Sequence, residues 1–325
     1  LGYIAEISPR EIKRSDTTEK YYRSGDYIGK KGIEKTYEKE LRGIRGVNYI
    51  LKDVHGIEKG KFADGLADTS AVAGYNLQST IDLSLQQYGE GLMINKIGSI
   101  VALDPKTGEI LSIVTSPSYD PNLLAGENYS KNYGKLLINP SKPLYDRATQ
   151  ASYPPGSIFK IVQALIGLQQ GVITKDTYFP CTKSLVGCHN HASPLNLYGS
   201  IQHSCNPYYY RVYRKILNQN LDKNTFIDTR LGYEKWRKHV LSFGLGKRLG
   251  SDISHEKGGQ IPTIRFYNKW YGENQWKNST IQSNAIGQGE LLVVPIQMAN
   301  LAAIIANKGH YYIPVSYTHL RAHET

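Results

Sequence analysis

The chain has 325 residues, with 39 Lys and Arg against 28 Asp and Glu for a net charge of +11, 40% hydrophobic residues and three cysteines. That composition excludes a disordered chain, a fibrous repeat and a disulfide scaffold, and the length predicts two domains or one large domain with an appendage. A membrane span needs about 20 apolar residues, and the longest apolar stretch, 291–306, is interrupted by Pro295, Gln297 and Asn300.

Residues 1–70 are polar and charge-rich, with a helical stretch near 33–41 and glycines at 25, 29, 32, 43 and 46, which predicts an extended, partly β accessory region. Its basic run, Lys30, Lys31, Lys35, Lys39, Arg42 and Arg45, is interleaved with Glu34, Glu38 and Glu40. Such a run reads as a solvated helix face near an anionic surface, since a nucleic-acid site needs a denser, one-sided patch. Composition shifts near Gly74. The apolar runs 97–103 and 110–114, joined by Asp104-Pro105-Lys106-Thr107-Gly108, predict a hairpin. Six prolines make 116–155 loop-rich. A helix is expected over 157–170, apolar on nearly every face and therefore interior, with Gly171 as its stop. A Cys/His segment (181–191), a helix from Pro207, a Gly-rich stretch (244–259) and a helix from Pro295 to about Asn307 complete the pattern.

Chemistry concentrates at the start of the apolar helix. Ser157 and Lys160 are three residues apart and share a helix face. The serine sits where backbone N–H groups and the helix dipole favour a developing anion. The lysine sits one turn inside an apolar helix, where desolvation lowers an amine's pKa and lets it take a proton. Ser254 and Lys257 repeat the spacing, but in a polar Gly-rich loop without apolar burial. A second element, Ser204-Cys205-Asn206, precedes the aromatic run Pro207-Tyr208-Tyr209-Tyr210.

Other short motifs keep order around these two. They include Tyr27-Ile28-Gly29, Thr80-Ile81-Asp82-Leu83, Asp104-Pro105-Lys106-Thr107-Gly108 and Ser116-Pro117-Ser118-Tyr119-Asp120-Pro121-Asn122. They continue with Tyr153-Pro154-Pro155-Gly156-Ser157, Phe243-Gly244-Leu245-Gly246, Gly287-Gln288-Gly289 and Pro295-Ile296-Gln297. The series resembles the class B, elongation-type penicillin-binding transpeptidases, whose superfamily carries Ser-x-x-Lys, Ser-Asp-Asn and Lys-Thr-Gly signatures. The resemblance implies an α+β fold: a penicillin-binding, serine β-lactamase-like transpeptidase domain of helices on an antiparallel sheet over 71–315, after part of a β-rich pedestal over 1–70. It implies a Ser157 nucleophile, a Lys160 proton acceptor, Ser204 relaying a proton to the leaving D-alanine, and Asn206 holding the donor peptide. Gly156 joins the substrate-binding turn, and the Ser157 N–H supplies half of an oxyanion hole.

Lys106-Thr107-Gly108 has the letters of the third signature but precedes the nucleophile, and fits a hairpin turn better. No other Lys-Thr-Gly follows, so the third motif is expected beyond the residues that match, and 316–325 are expected to be a non-native tail outside the domain. Cys181, Cys188, His189 and His191 allow three readings: a structural zinc, a Cys181–Cys188 disulfide, or plain loop polarity. Cys205 reads as a small packing residue.

The resulting expectation is a peptidoglycan D,D-transpeptidase acting on D-alanyl-D-alanine stem peptides and acylated by β-lactams, with no required cofactor. A glycosyltransferase partner, an N-terminal membrane anchor ahead of Leu1, an inner-membrane location facing the periplasm and no nucleic acid complete it. A D,D-carboxypeptidase or β-lactamase, and a penicillin sensor or scaffold, are the alternatives.

Overall fold

The computed structural model describes residues 2–15, 21–126 and 128–321. The accessory region opens with β1 (Gly2–Glu6), α1 (Pro9–Ser15) and β2 (Tyr27–Lys31), β1 and β2 pairing antiparallel. The helical stretch near 33–41 forms two short helices, α2 (Gly32–Thr36) and α3 (Glu38–Leu41). They part at Tyr37, whose ring is buried and whose hydroxyl donates to Asp252 over 2.8 Å. The basic run is not simply solvated. Lys30 pairs with Glu11 at 2.6 Å, Arg45 pairs with Asp26 at 2.5 Å, and Arg42 lies 3.8 Å over the Tyr21 ring. Lys31 reaches into the second domain and donates to the Leu144 carbonyl over 2.7 Å. Strands β3 (Ile50–Lys52) and β4 (Glu58–Lys61) pair in an arm whose strand residues are all exposed.

After β5 (Asn76–Ser79) comes α4 (Leu83–Leu92), capped by the Asp82 carboxylate, which accepts from the Leu85 N–H. The expected hairpin is β6 (Gly98–Leu103) and β7 (Ile110–Ser116), with Ile100 opposite Val114. Its turn closes through Gly108 N–H to Asp104 O at 2.9 Å, with Gly108 at φ +81°. Inside the loop-rich stretch lies a helix that the prolines concealed, α5 (Tyr129–Ile138), which buries no residue. Helix α6 (Arg147–Gln150) follows an Asp146 cap. Then come α7 (Phe159–Gln169), α8 (Leu197–Gln202), α9 (Asn206–Leu217), α10 (Thr225–Ser242), α11 (Ile264–Tyr271), α12 (Pro295–Ala306) and β8 (Tyr317–Arg321).

Among the described residues the strands form four two-stranded antiparallel pairs rather than one continuous sheet. In the last pair Tyr317–Arg321, within the stretch expected to be a non-native tail, pairs with β5. Ser316 just before it is buried and donates its N–H and hydroxyl to Asp252. Tyr317 packs on Tyr37, ring centroids 4.7 Å apart.

The main core lies between α7, α9 and α10. Phe159, Val162, Tyr209, Val212, Tyr213, Tyr233 and Trp236 are all at most 1% exposed. Helices α9 and α10 approach so closely that a Cβ on Gly232 would stand 2.0 Å from the Leu217 carbonyl. Trp236 stacks edge-on to Phe159 and Tyr213, and its indole N–H donates to Gln163 Oε1 over 2.8 Å. The amide of Gln163 donates in turn to the Asn284 carbonyl over 3.1 Å. Helix α7 is not buried all round: Leu165 and Leu168 keep about two-fifths of their surface exposed (40% and 41%).

Removing the Trp236 ring should therefore cost about 3–5 kcal/mol in Trp236→Ala. Trp236→Phe refills most of the volume but strands Gln163 Oε1, at about 1–3 kcal/mol. Urea unfolding followed by circular dichroism measures both. A Phe variant as stable as the parent would show that the Gln163 bond contributes nothing.

Candidate active site

The turn before α7 is held from one side by a single distant segment. Tyr153 and Val293 exchange backbone hydrogen bonds of 2.9 and 2.8 Å, and Gly156 N–H donates to Gly287 O over 2.8 Å. Gly287 lies at φ +69°, and a Cβ there would stand 2.3 Å from the Gly156 carbonyl, so only glycine fits. Gly156 itself lies at φ +59°. This clamp presents Ser157 exposed, in the 3-10 turn Gly156–Ile158 that leads into α7 two residues later than the sequence predicts, with its N–H lacking an acceptor among the described residues. Such first-turn N–H groups are the ones that receive anions.

Lys160 is one turn further in and only 3% exposed. Its Nζ donates to Ser204 O at 2.6 Å, Ser204 Oγ at 2.9 Å and Asn206 Oδ1 at 2.5 Å. Burial lowers its pKa below the ordinary lysine value, and the sulfurs of Cys188 and Cys205 act in the opposite direction. No hydrogen bond joins Ser157 Oγ to Lys160 Nζ, as is common in ligand-free sites. Ser204 is held at φ +48°, a conformation that disfavours a residue with a Cβ. Asn206 is the first residue of α9, with Pro207 behind it. One hydrogen of its amide goes to Gly187 O at 2.7 Å, which leaves the second free for another acceptor.

Behind Asn206 lies a group of four ligand-type side chains. The donor atoms of Cys181, Cys188, His191 and Cys205 all lie within 4.8 Å of one another. All three cysteines are free, so the Cys181–Cys188 disulfide weighed from sequence is not formed. The ligand set also needs correction. His189 points out to solvent, while Cys205, read as a packing residue, turns inward as the fourth member. His191 Nε2 lies 3.4 Å from Cys188 Sγ, its Nδ1 lies 2.7 Å from the Ala192 carbonyl, and its ring stacks on His203. Burial raises the Cys188 thiol, but contacts from His191 and the Asn206 N–H outweigh it and leave the thiol lowered; burial pushes Cys205 up to about 12. Three sulfurs and an imidazole whose far nitrogen meets a carbonyl are a donor set suited to tetrahedral zinc, whose ligand–metal distances of about 2.0–2.3 Å need only slight contraction of this cluster.

Two decoys separate cleanly. Lys257 is exposed in a loop, with no helix around Ser254. Lys106-Thr107-Gly108 forms the β6–β7 turn, anchored through Pro105 O to the Asn307 amide. Sequence reasoning missed Gly187, whose contribution is a backbone carbonyl, and Cys205, for which clustering of all three cysteines within 181–205 was the available signal.

Residues 98–324 match the penicillin binding protein transpeptidase domain family, and residues 1–79 match the penicillin-binding protein dimerisation domain family. The chain is 32% identical, over 97% of its length and 48% of the relative, to the peptidoglycan D,D-transpeptidase MrdA of Escherichia coli strain K12. It is 31% identical to MrdA of Acinetobacter baumannii, over 97% of this chain and 45% of that protein. Among solved structures it is similar to the complex between PBP2 and MreC from Helicobacter pylori, with a TM-score of 0.78, 27% identity, and coverage of 99% of this chain and 58% of that chain. It is also similar to Pseudomonas aeruginosa PBP2 in complex with WCK 5153, with a TM-score of 0.76, 28% identity, and coverage of 100% and 65%. The chain thus spans about half the length of the curated relatives it matches.

Strain at Ser204 is open to measurement. Ser204→Gly should be more stable than Ser204→Ala by about 1 kcal/mol, because glycine tolerates the left-handed backbone that alanine does not. Thermal unfolding of the two variants decides it. Equal stability would mean that the backbone relaxes at no cost.

Proposed function

The chain belongs to the penicillin-binding transpeptidase family, and from that premise we propose that it carries the acylation site of a peptidoglycan D,D-transpeptidase of cell-wall elongation. The observation that carries the reading is the sharing of the buried Lys160 ammonium between Ser204 and Asn206, one helical turn from the exposed Ser157.

In the proposed reaction Ser157 Oγ attacks the carbonyl carbon of the penultimate D-alanine of a stem peptide. The serine proton passes to neutral Lys160, and negative charge collects on the carbonyl oxygen beside the Ser157 N–H. Losing one such donor typically costs about 2.7–4 kcal/mol. The amide C–N bond then breaks, and a proton relayed through Ser204 Oγ, 2.9 Å from Lys160 Nζ, goes to the departing D-alanine. The free hydrogen of the Asn206 amide supports the peptide. An amine of a neighbouring stem attacks the ester, forms the cross-link and returns the proton to Ser157. A β-lactam follows only the first half, because its leaving amine stays attached.

No helix among the described residues is long and apolar enough to cross a membrane. The membrane anchor, the extracytoplasmic location, a glycosyltransferase partner and an elongation partner of the MreC kind belong to this proposal through the relatives. So does zinc: Cys181, Cys188, His191 and Cys205 would hold it. When bound, it would supply a structural cross-link between the 181–191 loop and residue 205, with no part in bond making.

A fluorescent penicillin should leave its adduct on the tryptic peptide 148–160, read by mass spectrometry. Ser157→Ala should abolish it and Ser254→Ala should not; an adduct that persists in Ser157→Ala overturns the assignment. The acylation rate should rise with pH through a pKa below the ordinary lysine value, because the neutral amine is the reactive form and burial makes it available at lower pH. Lys160→Arg should be as slow as Lys160→Ala, since a guanidinium does not give up its proton. A fast Arg variant would make Lys160 an electrostatic helper instead of a base.

A further inference from the structure

Between Phe179 and Leu195, whose backbones bond to each other over 3.0 and 3.1 Å, the chain runs without helix or strand. The Cys181 N–H bonds to Ser193 Oγ, and Thr182 accepts from Arg211, so the loop's outgoing limb has local anchors. Gly187 has no such anchor. It is exposed, and a Cβ placed on it would meet nothing within 4 Å. Its carbonyl nevertheless takes a 2.7 Å hydrogen bond from the Asn206 amide. What fixes Gly187 is its covalent neighbour Cys188, whose sulfur lies in the four-membered cluster and accepts from the Asn206 N–H over 3.4 Å. The other partner of the bond is fixed in the same way, because Asn206 follows Cys205, a second member of the cluster. A metal bridging Cys188 and Cys205 would tie together the two residues that flank the Gly187–Asn206 hydrogen bond.

We propose that metal occupancy of the Cys181–Cys188–His191–Cys205 cluster sets the position of the Asn206 side chain through the Gly187 carbonyl. The cluster and the Lys160 site are therefore thermodynamically coupled, with Gly187 as a positioning residue. The proposal rests on the metal reading given above. Coupling is reciprocal: if the metal orders Asn206, then Asn206 strengthens metal binding by the same factor.

The reciprocal arm needs no enzymatic activity. The purified chain is titrated with cobalt(II), observed through the visible bands of a tetrahedral thiolate site, and its zinc affinity is measured by chelator competition. Asn206→Ala keeps the backbone N–H on Cys188 but removes the amide that holds Gly187, and should weaken zinc binding about tenfold, the lower end of the range for groups that orient metal ligands. Ser204→Ala takes one acceptor from Lys160 without touching Gly187, and should leave zinc affinity within twofold; His189→Ala, outside the cluster, should do the same. In the parent, the Asn206 side-chain amide resonances, assigned by their loss in the Ala variant, should shift on zinc addition and slow their hydrogen exchange. If Asn206→Ala binds zinc like the parent and those resonances ignore zinc, the coupling is overturned and the metal site stands. If the chain takes up no stoichiometric cobalt, or Cys188→Ser binds as the parent does, the metal reading falls and the coupling with it. Equal weakening in Ser204→Ala and Asn206→Ala would trace the effect to Lys160 and overturn the role of Gly187.

Discussion

A buried ammonium with three acceptors governs this site. Taking a lysine head group out of water costs several kcal/mol, and Lys160 is nearly inaccessible. All three of its acceptors come from one three-residue segment, Ser204 O, Ser204 Oγ and Asn206 Oδ1. Helices α7 and α9 are thus joined by charge where their first turns meet. Neither can slide without leaving the ammonium under-coordinated in an apolar setting. The left-handed backbone at Ser204 is the local cost of pointing a carbonyl and a hydroxyl at the same nitrogen.

The next turn of α7 is gripped just as firmly. Gln163, one turn beyond Lys160, accepts from Trp236 of α10 and donates to Asn284 O, three residues before Gly287. Asn284 donates to the Tyr267 hydroxyl over 2.8 Å and lies at 3.4 Å from that of Tyr213, which belongs to α9. Gly287 O then receives the N–H of Gly156. From the nucleophile turn, a chain of polar bonds runs through Gly287 and Asn284 and returns to α7 at Gln163. The network holds the turn on which Ser157 is exposed, and within it the Asn284 side-chain oxygen is buried with no hydrogen-bond partner among the described residues.

Much of this was legible in the sequence wherever a signal is local. Pro207 and Pro295 marked helix starts, Asp104 through Gly108 marked a turn, and Ser157 with Lys160 marked a helix face. Helix α10 left no such mark. Its buried positions include Asp228, Thr229 and Gly232 beside Tyr233, Trp236 and Val240, so half of its inward face is polar or has no side chain. Asp228 and Thr229 are buried because the Asn218 amide donates to both, a tertiary fact with no periodic trace. Leu165 and Leu168 misled in the other direction, since an apolar residue on a helix does not by itself say that something covers it. The pairing of Tyr317–Arg321 with β5 had no signal of its own in the sequence.

The segment 204–206 shows why a motif's variable position can matter as much as its fixed ones. Cys205 has extended backbone, φ −69° and ψ 112°. With Ser204 left-handed before it and Asn206 opening α9 after it, the flanking residues turn to one side and Cys205 to the other. On one side the flanking residues share Lys160, and on the other the middle residue joins Cys181, Cys188 and His191. In this backbone the middle residue of Ser204-Cys205-Asn206 is turned toward the 181–191 loop. A loop without its own hydrogen-bond ladder gains a fixed reference from a sulfur placed there, and the same two peptide bonds carry that reference into the groups around the ammonium. Three consecutive residues, left-handed, extended and helical in turn, thus connect the two clusters, whose other members come from separate segments of the chain.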